Sequence, residues 1–464
     1  MKGKRKKLRL LKEGKELEKE MKETLTILRK RNFKGYKGLV IKNTIYQFLT
    51  NITGKLGSLV FTIIIARLLL PELFGLYSLA LSTIILFAAF TDLGIGSTFI
   101  RFVSKALGRN KKREAKSYAM YLTKIKIFLT LVTAIALILT ARFIANSYYN
   151  KPIFLALVAG SFYLSFTSLL NLITLFFHSA NNFRWPFFRE IFFQISRLVI
   201  VPLTILLALR FDLSKQLVVF SIILALAFTY FLTVLFISSI AKKKLDFLKV
   251  KPLRLRRKER KRINRFIITL SVTVLSGIFF GYIDMIMLGH FVDAEFIGYY
   301  KAAFALVGGI SALVPFSAVL FPLFSRLKGK ELEKSLAKST RITLLFSSLI
   351  LVLVVLFASP ITEIVYGTNY LSSVPLLRLL SLLLISLPLT SLLSSYFIAR
   401  GKPEIVAKLL VISTILNVVL NYVFIAWLIH YSQFLAVVGA CIATLLSRYF
   451  YFISLTLTKR LKIR

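Results

Sequence analysis

The chain lacks most of what metal-binding and catalytic proteins rely on. One cysteine, Cys441, in 464 residues excludes a disulfide framework and a thiolate metal cluster. The only histidines, His178, His290 and His430, each lie near the end of an apolar segment, so neither a metal site nor a cofactor is expected. No glycine-rich phosphate loop of the ATP-binding kind occurs. The N-terminus is a long charged segment, not a short basic region followed by an apolar core, so no cleavable signal is expected. Carboxylates are scarce: 19 Asp and Glu stand against 63 Lys and Arg, a formal net charge of +44.

Apolar residues dominate instead. They make up 57% of the chain, and mean hydropathy is +0.76. Runs with few charges recur, and about 20 residues cross roughly 30 Å of hydrocarbon as a helix. The pattern predicts an all-α integral membrane protein with about twelve spans, near 41–66, 73–95, 118–145, 152–178, 187–210, 214–241, 264–289, 296–325, 340–364, 371–399, 404–430 and 433–457. The basic charge does not read as a nucleic-acid surface. It gathers in the N-terminal tail, in the loops after even-numbered spans (GRNKKREAK, NNFRW, the long 242–263 loop, RLKGKELEKSLAKSTR, ARGKPE) and in the last residues. That is the positive-inside pattern, with anionic lipid headgroups as counterions and both termini in the cytoplasm. Leu17, Met21, Leu25 and Leu28 share a face of the 1–40 arm, which reads as an interfacial helix or as a basic tail that sets topology.

The 242–263 loop divides the spans into two sets of six, 41–241 and 264–457, followed by a basic tail at 458–464. The sets look related. IARLLLPELFGLYSLA (65–80) aligns with LGHFVDAEFIGYYKAA (288–303), pairing Glu72 with Glu295, Gly75 with Gly298 and Tyr77 with Tyr300. Two copies in the same orientation are a transporter arrangement, with the substrate site near mid-depth between them.

Polar residues inside the spans point to that site. Thr44, Gln47, Asn51, Lys55, Ser58 and Thr62 step by three and four, one stripe on a helix. A lysine near mid-bilayer costs about 2.5–3.5 kcal/mol on the insertion scale, so the stripe should face a wet cavity. The alternative is a buried interhelical network without a ligand. Glu190, Gln194 and Arg197 repeat the idea in the fifth span. In the second half Asp284 shares a face with Ser276, Thr273 and Thr269, while Lys301, Arg378, Arg448, Asn417 and Asn421 lie within other spans. Asn51, Lys55, Arg197, Lys301, Arg378 and Arg448 are the candidate substrate ligands. Cations outnumber carboxylates, so the cavity should draw an anion such as phosphate or pyrophosphate. Asp284 and Glu190 are candidates for coupling to H+ or Na+, or for structural pairs Lys301–Asp284 and Arg197–Glu190. Arg142, Arg210 and Glu363 read as interfacial anchors, and Lys124, Lys126, Arg189 and Lys408 as side chains that snorkel to the inner face. Asp92 reads as a gate or loop anchor. Pro202, Pro315, Pro322 and Pro388 supply bends or are tolerated kinks.

RLLLPELFGLYSLALS (67–82), DLGIGSTFIRFVSKALG (92–108) and the weaker ARGKPE turn (399–404) resemble the polysaccharide transporter branch of the multidrug/oligosaccharidyl-lipid/polysaccharide (MOP) exporter superfamily. That branch contains the Wzx-like prokaryotic flippases. The resemblance covers residues 41–457. It implies two six-helix lobes in a V, an alternately opened central cavity and a place in a prokaryotic cell membrane. It also implies transfer of a polyprenyl-(pyro)phosphate-linked oligosaccharide to the outer leaflet for surface glycan assembly. The main alternative is an ion-coupled drug or metabolite exporter of the same fold, which for organic cations uses an acidic residue in the first span. Lys55 stands in that span, with no carboxylate. An enzyme would need acidic residues in substantial outer loops, and these loops are only a few residues long.

Overall fold

A computed structural model describes residues 35–312 and 329–461. The arm helix expected around Leu17–Leu28, and Pro315 and Pro322, lie outside the described residues. Within them the chain is helical without strands, because hydrocarbon offers no partner for backbone N–H and C=O groups and a helix satisfies them internally. In order the helices are α1 (Gly35–Ala88), α2 (Ile95–Gly108), α3 (Lys112–Arg142), α4 (Phe154–Ser179), α5 (Arg184–Arg210), α6 (Lys215–Lys244), α7 (Arg257–Phe291), α8 (Ala294–Ala312), α9 (Gly329–Leu356), α10 (Ala358–Tyr366), α11 (Val374–Leu380), α12 (Leu383–Ala399), α13 (Pro403–Leu428) and α14 (Gln433–Leu461). Among the described residues nine helices are long and apolar enough to cross a membrane, ten if the bent pair around residue 381 is one span.

The first two spans are the arms of α1. They part at Leu70, whose φ of 58° lies outside helical space, ahead of Pro71, which cannot continue an N–H ladder. The tenth span breaks between α11 and α12 with a 48° bend. Tyr449 donates to the Leu382 carbonyl at the break, at 2.8 Å. Pro388 lies further along α12, so the break precedes it.

Glycines set how the halves meet. A Cβ on Gly75 would stand 1.7 Å from the Ala294 carbonyl oxygen, and one on Gly298 would stand 2.1 Å from that of Pro71. The two repeat-related glycines therefore let the second arm of α1 and the start of α8 cross backbone to backbone. Around this crossing, on the side away from the basic loops, the halves are tied together. Arg67 donates through Nε to the Val365 carbonyl at 2.7 Å and through a second nitrogen to that of Ile364. Tyr370 donates to the Ala66 carbonyl at 2.8 Å, and Lys151 to that of Gly289 at 2.9 Å. His290 stacks on Tyr148 and donates through Nδ1 to its carbonyl. Glu72 instead pairs with Lys215 at the start of α6.

On the basic side the long linker lies along α3. Lys116 donates to the Leu248 carbonyl at 2.6 Å, and the Leu253 N–H donates to Ser117 Oγ. Lys126, expected to snorkel, is instead 2% exposed and paired with Asp92 at 3.0 Å. Asp92 also accepts from the Gly96 N–H, so it fixes the turn into α2. With that partner at hand, the ammonium gains nothing by reaching for the interface.

Candidate substrate cavity

A cavity of about 980 Å³ lies between the halves. The first arm of α1 supplies one wall. Gln47, Asn51, Lys55, Ser58 and Thr62 line it, as their helical spacing requires, while Thr44 bonds back to the Val40 carbonyl outside it. Facing them are Arg189, Glu190, Gln194 and Arg197 of α5, with Thr167, Asn171 and His178 of α4 and Tyr230 of α6. The second half contributes Lys301 and the Gly308–Gly309 stretch of α8, with Pro388 of α12.

Small residues on α1 make room for the polar groups of α5. A Cβ at Gly57 would stand 2.4 Å from Gln194 Oε1, and one at Gly54 would stand 3.1 Å from Glu190 Oε1. Along α5 a relay runs from Arg197, which donates to Gln194 Oε1 at 2.6 Å, to Gln194 Nε2, which donates to Glu190 Oε1 at 2.6 Å. The guanidinium of Arg197 also lies over the Phe61 ring at 4.2 Å and the Phe193 ring at 5.1 Å. Quadrupole attraction partly replaces the lost hydration there. Its Nε is buried without a hydrogen-bond partner among the described residues.

The expected Arg197–Glu190 pair does not form, since Gln194 stands between them. Glu190 pairs with Arg189 at 3.2 Å. Arg189, read as a snorkelling side chain, instead lines the cavity and leaves its own Nε without a partner. Lys55 is exposed to the cavity, and neither it nor Lys301 makes a hydrogen bond or ion pair among the described residues. Asn51 accepts from Gln47 at 3.1 Å. Lys55, Arg189, Arg197 and Lys301 thus face one carboxylate, and that one is already engaged.

Two expected ligands are elsewhere. Arg378 sits on the short α11, is exposed and does not line the cavity, because the break after Leu380 separates its helix from the α12 wall. Arg448 lines a smaller chamber of about 220 Å³ with Asp284, Tyr300 and Lys301. It lies 3.9 Å over the Phe280 ring and donates to the Phe280 carbonyl at 2.7 Å. Lys301 borders both chambers and does not pair with Asp284. Asp284 is 4% exposed and accepts from Tyr300 at 2.8 Å, Asn421 at 2.8 Å and Thr444 at 2.7 Å. The amide oxygens of Asn417 and Asn421 are buried with no hydrogen-bond partner among the described residues. Thr269, Thr273 and Ser276 line neither chamber. Among the described residues no three His, Cys, Asp or Glu side chains gather as a metal site.

The sequence reading missed Arg189, His178, Asn171 and Thr167. The last three carry a readable signal, since Thr167, Asn171 and His178 fall at i, i+4 and i+11 on one face of α4.

Apolar helical spans in two halves around a polar, cation-lined chamber define a multi-pass membrane protein with a MOP-like fold. A family model described as polysaccharide biosynthesis protein matches residues 40–328, and the chain belongs to that family. A model of the lipid II flippase MurJ matches residues 299–464. An uncharacterized membrane protein of Methanocaldococcus jannaschii is 21% identical over 394 residues, covering 80% of this chain and 74% of that one. Two solved structures share the fold. An inward-facing multidrug resistance MATE family transporter of the MOP superfamily aligns with a TM-score of 0.67 at 15% identity, covering 89% of this chain and 98% of the other. Lipid II flippase MurJ, in an inward closed conformation, aligns with a TM-score of 0.67 at 16% identity, covering 90% and 87%.

Proposed function

We propose that this protein flips a polyprenyl-(pyro)phosphate-linked oligosaccharide from the cytoplasmic to the outer leaflet of the cell membrane, for surface glycan assembly. The observation that carries this reading is the surplus of cations in the central cavity. Lys55, Lys301 and the free Nε groups of Arg189 and Arg197 offer donors that no group among the described residues takes up. A phosphate-linked sugar satisfies them with charge-assisted hydrogen bonds while its lipid tail stays in the bilayer. Asn51, Gln47, Thr167 and Asn171 supply neutral partners for sugar hydroxyls. The lysine-rich loops support a basic side in the cytoplasm, against anionic lipids. The tied ends described above then form an outer seal, and the cavity, which reaches Gln47 and His178 at the basic ends of their helices, loads from within.

The coupling ion, H+ or Na+, belongs at Asp284. A carboxylate with three neutral donors and no ion pair among the described residues, though Arg448 and Lys301 line its chamber, stands beside two unpartnered amide oxygens and suits a proton or a small oxygen-seeking ion. A drug exporter of organic cations shares the fold, but Lys55 and Arg197 repel such cargo.

Reconstituted protein should flip a fluorescent polyprenyl-pyrophosphate sugar, and Lys55→Gln with Arg197→Gln should abolish this while the protein still folds and inserts. Unchanged flipping by the double variant, or transport of cationic dyes in its place, would overturn the reading.

A further inference from the structure

A second cationic site lies away from the cavity, at the basic end of the molecule. There Arg101, Lys105 and Arg109 of α2 and Arg262 of α7 line a pocket of about 120 Å³ with Glu114 and Tyr118 of α3. The amphipathic period of α2 explains the placement. Ile95, Phe99, Val103 and Ala106 are buried, which turns Arg101, Lys105 and Arg109 outward. Two of the cations are aimed by aromatic faces. Arg101 lies 4.3 Å over the Phe266 ring, and Arg262 lies 5.8 Å from the centre of the Phe102 ring.

Nearby carboxylates do not neutralise the cluster. Glu114 pairs with Lys111 at 2.8 Å. Glu259 accepts from Tyr118 at 2.8 Å and from the Arg256 N–H at 3.0 Å. None of the four cations has an ion pair among the described residues. Like charges gathered on one surface repel, so an anion shared among them lowers the energy. Ile100 and Ile268, 40% and 68% exposed, are lipid-suited neighbours on the same two helices.

We infer that this pocket binds a phosphate group, supplied by the headgroup of an anionic membrane lipid, and so clamps α2 of the first half to α7 of the second. The guanidiniums supply planar donor forks for phosphate oxygens, and the exposed isoleucines meet the acyl chains. The site is separate from the central cavity and shares no residue with it.

The test is thermal stability of the detergent-purified full chain titrated with dihexanoyl phosphatidylglycerol, dihexanoyl phosphatidylcholine or inorganic phosphate. Wild type should be stabilised saturably by phosphatidylglycerol and not by phosphatidylcholine. Lys105→Gln with Arg109→Gln should weaken the apparent affinity at least about 5-fold, the effect of roughly 1 kcal/mol. Lys242→Gln with Lys243→Gln, which removes equal charge from the exposed end of α6, should leave it unchanged. Saturable stabilisation by inorganic phosphate, lost in the same variant, would support the phosphate site and identify free phosphate as a sufficient ligand. Equal phosphatidylglycerol affinity in wild type and the α2 variant, or an equal loss in the α6 control, would overturn the proposal. Because neither variant touches the cavity, flipping by the α2 variant separates this outcome from failure of the transport reading.

Discussion

The two halves treat buried charge in opposite ways. In the first, cations face an open cavity with donors left over: Lys55 has no partner among the described residues, and Arg189 and Arg197 each keep a free Nε. The second half lends that cavity Lys301 and also holds an anion in its own interior, with Tyr300, Asn421 and Thr444 all donating to Asp284 and Arg448 lining the same chamber. One arrangement is a surface that awaits a ligand charge, the other an interior that holds a charge in place. An unsatisfied buried donor costs about 1–3 kcal/mol, so the first arrangement is favourable only when something else fills the cavity. The unpartnered donors come mostly from the first half, with Lys301 of the second facing them across the cavity.

What the halves have in common should break first. Gly75 and Gly298 occupy equivalent positions and touch each other's segments, so Gly75→Val and Gly298→Val should be about equally harmful. Each added side chain meets backbone, which cannot swing away, and the cost should reach about 3 kcal/mol, the upper end for overpacking. Melting in detergent measures it. A tolerated valine at either position would show that the crossing is looser than its geometry.

Next in size is the cavity. Lys55→Gln and Arg197→Gln, made singly, should each slow flipping about 10- to 100-fold, the loss of one charge-assisted contact of roughly 1.5–3 kcal/mol. Lys55→Gln should leave the melting temperature unmoved, because no protein contact depends on it. Arg378→Gln should do little to flipping, since Arg378 lies off the cavity. Initial rates in proteoliposomes rank the three, and an Arg378 effect as large as that of Arg197 would erase the contrast.

Asp284→Asn sharpens the other side. The cage keeps its shape but loses a charged acceptor, a stability cost of about 1–2 kcal/mol. Stabilisation of the wild type by Na+ should vanish in the variant. Retention of that ion response would move the coupling site away from the second half.

Much of this was legible in the sequence because helices are periodic. The Gln47–Thr62 stripe and the α5 triplet each had the spacing of one face, and each lines the cavity. Apolar runs and basic loops gave the spans and their order. Facts that depend on contacts between helices were hidden. Whether Arg189 reaches the inner face or the cavity depends on where α1 and α4 lie, and Asp92 reaches Lys126 only because the turn before α2 meets α3 across 34 residues of chain. Arg378 was misread because an unbroken tenth span would carry it on the same helix as the Pro388 wall. The Asp284 cage drew on α8, α13 and α14, so a carboxylate in α7 could be noticed but its donors could not be assigned.

The smallest expected effect tests the sealed side, where the halves do share polar contacts. Lys151 donates to the Gly289 and Tyr149 carbonyls, yet burial holds its ammonium below the ordinary lysine pKa of 10.5, with Asp293 partly opposing the shift. A cation whose pKa is depressed by folding burdens the fold while it stays charged. That burden is lifted as pH rises through the folded pKa, because the folded chain releases the proton before the unfolded one does. Stability should therefore climb with pH over the window that ends near 10.5, and Lys151→Met should remove this component of the slope. Partial exposure of Lys151 screens the effect to under about 1 kcal/mol. Melting temperatures of the two proteins between pH 8 and 10.5 would reveal it as a difference in slope, not in offset, since the variant also loses two hydrogen bonds. Parallel curves would mean that the ammonium is better hydrated than its place between the halves suggests, and that the seal is wetter than the cavity it closes.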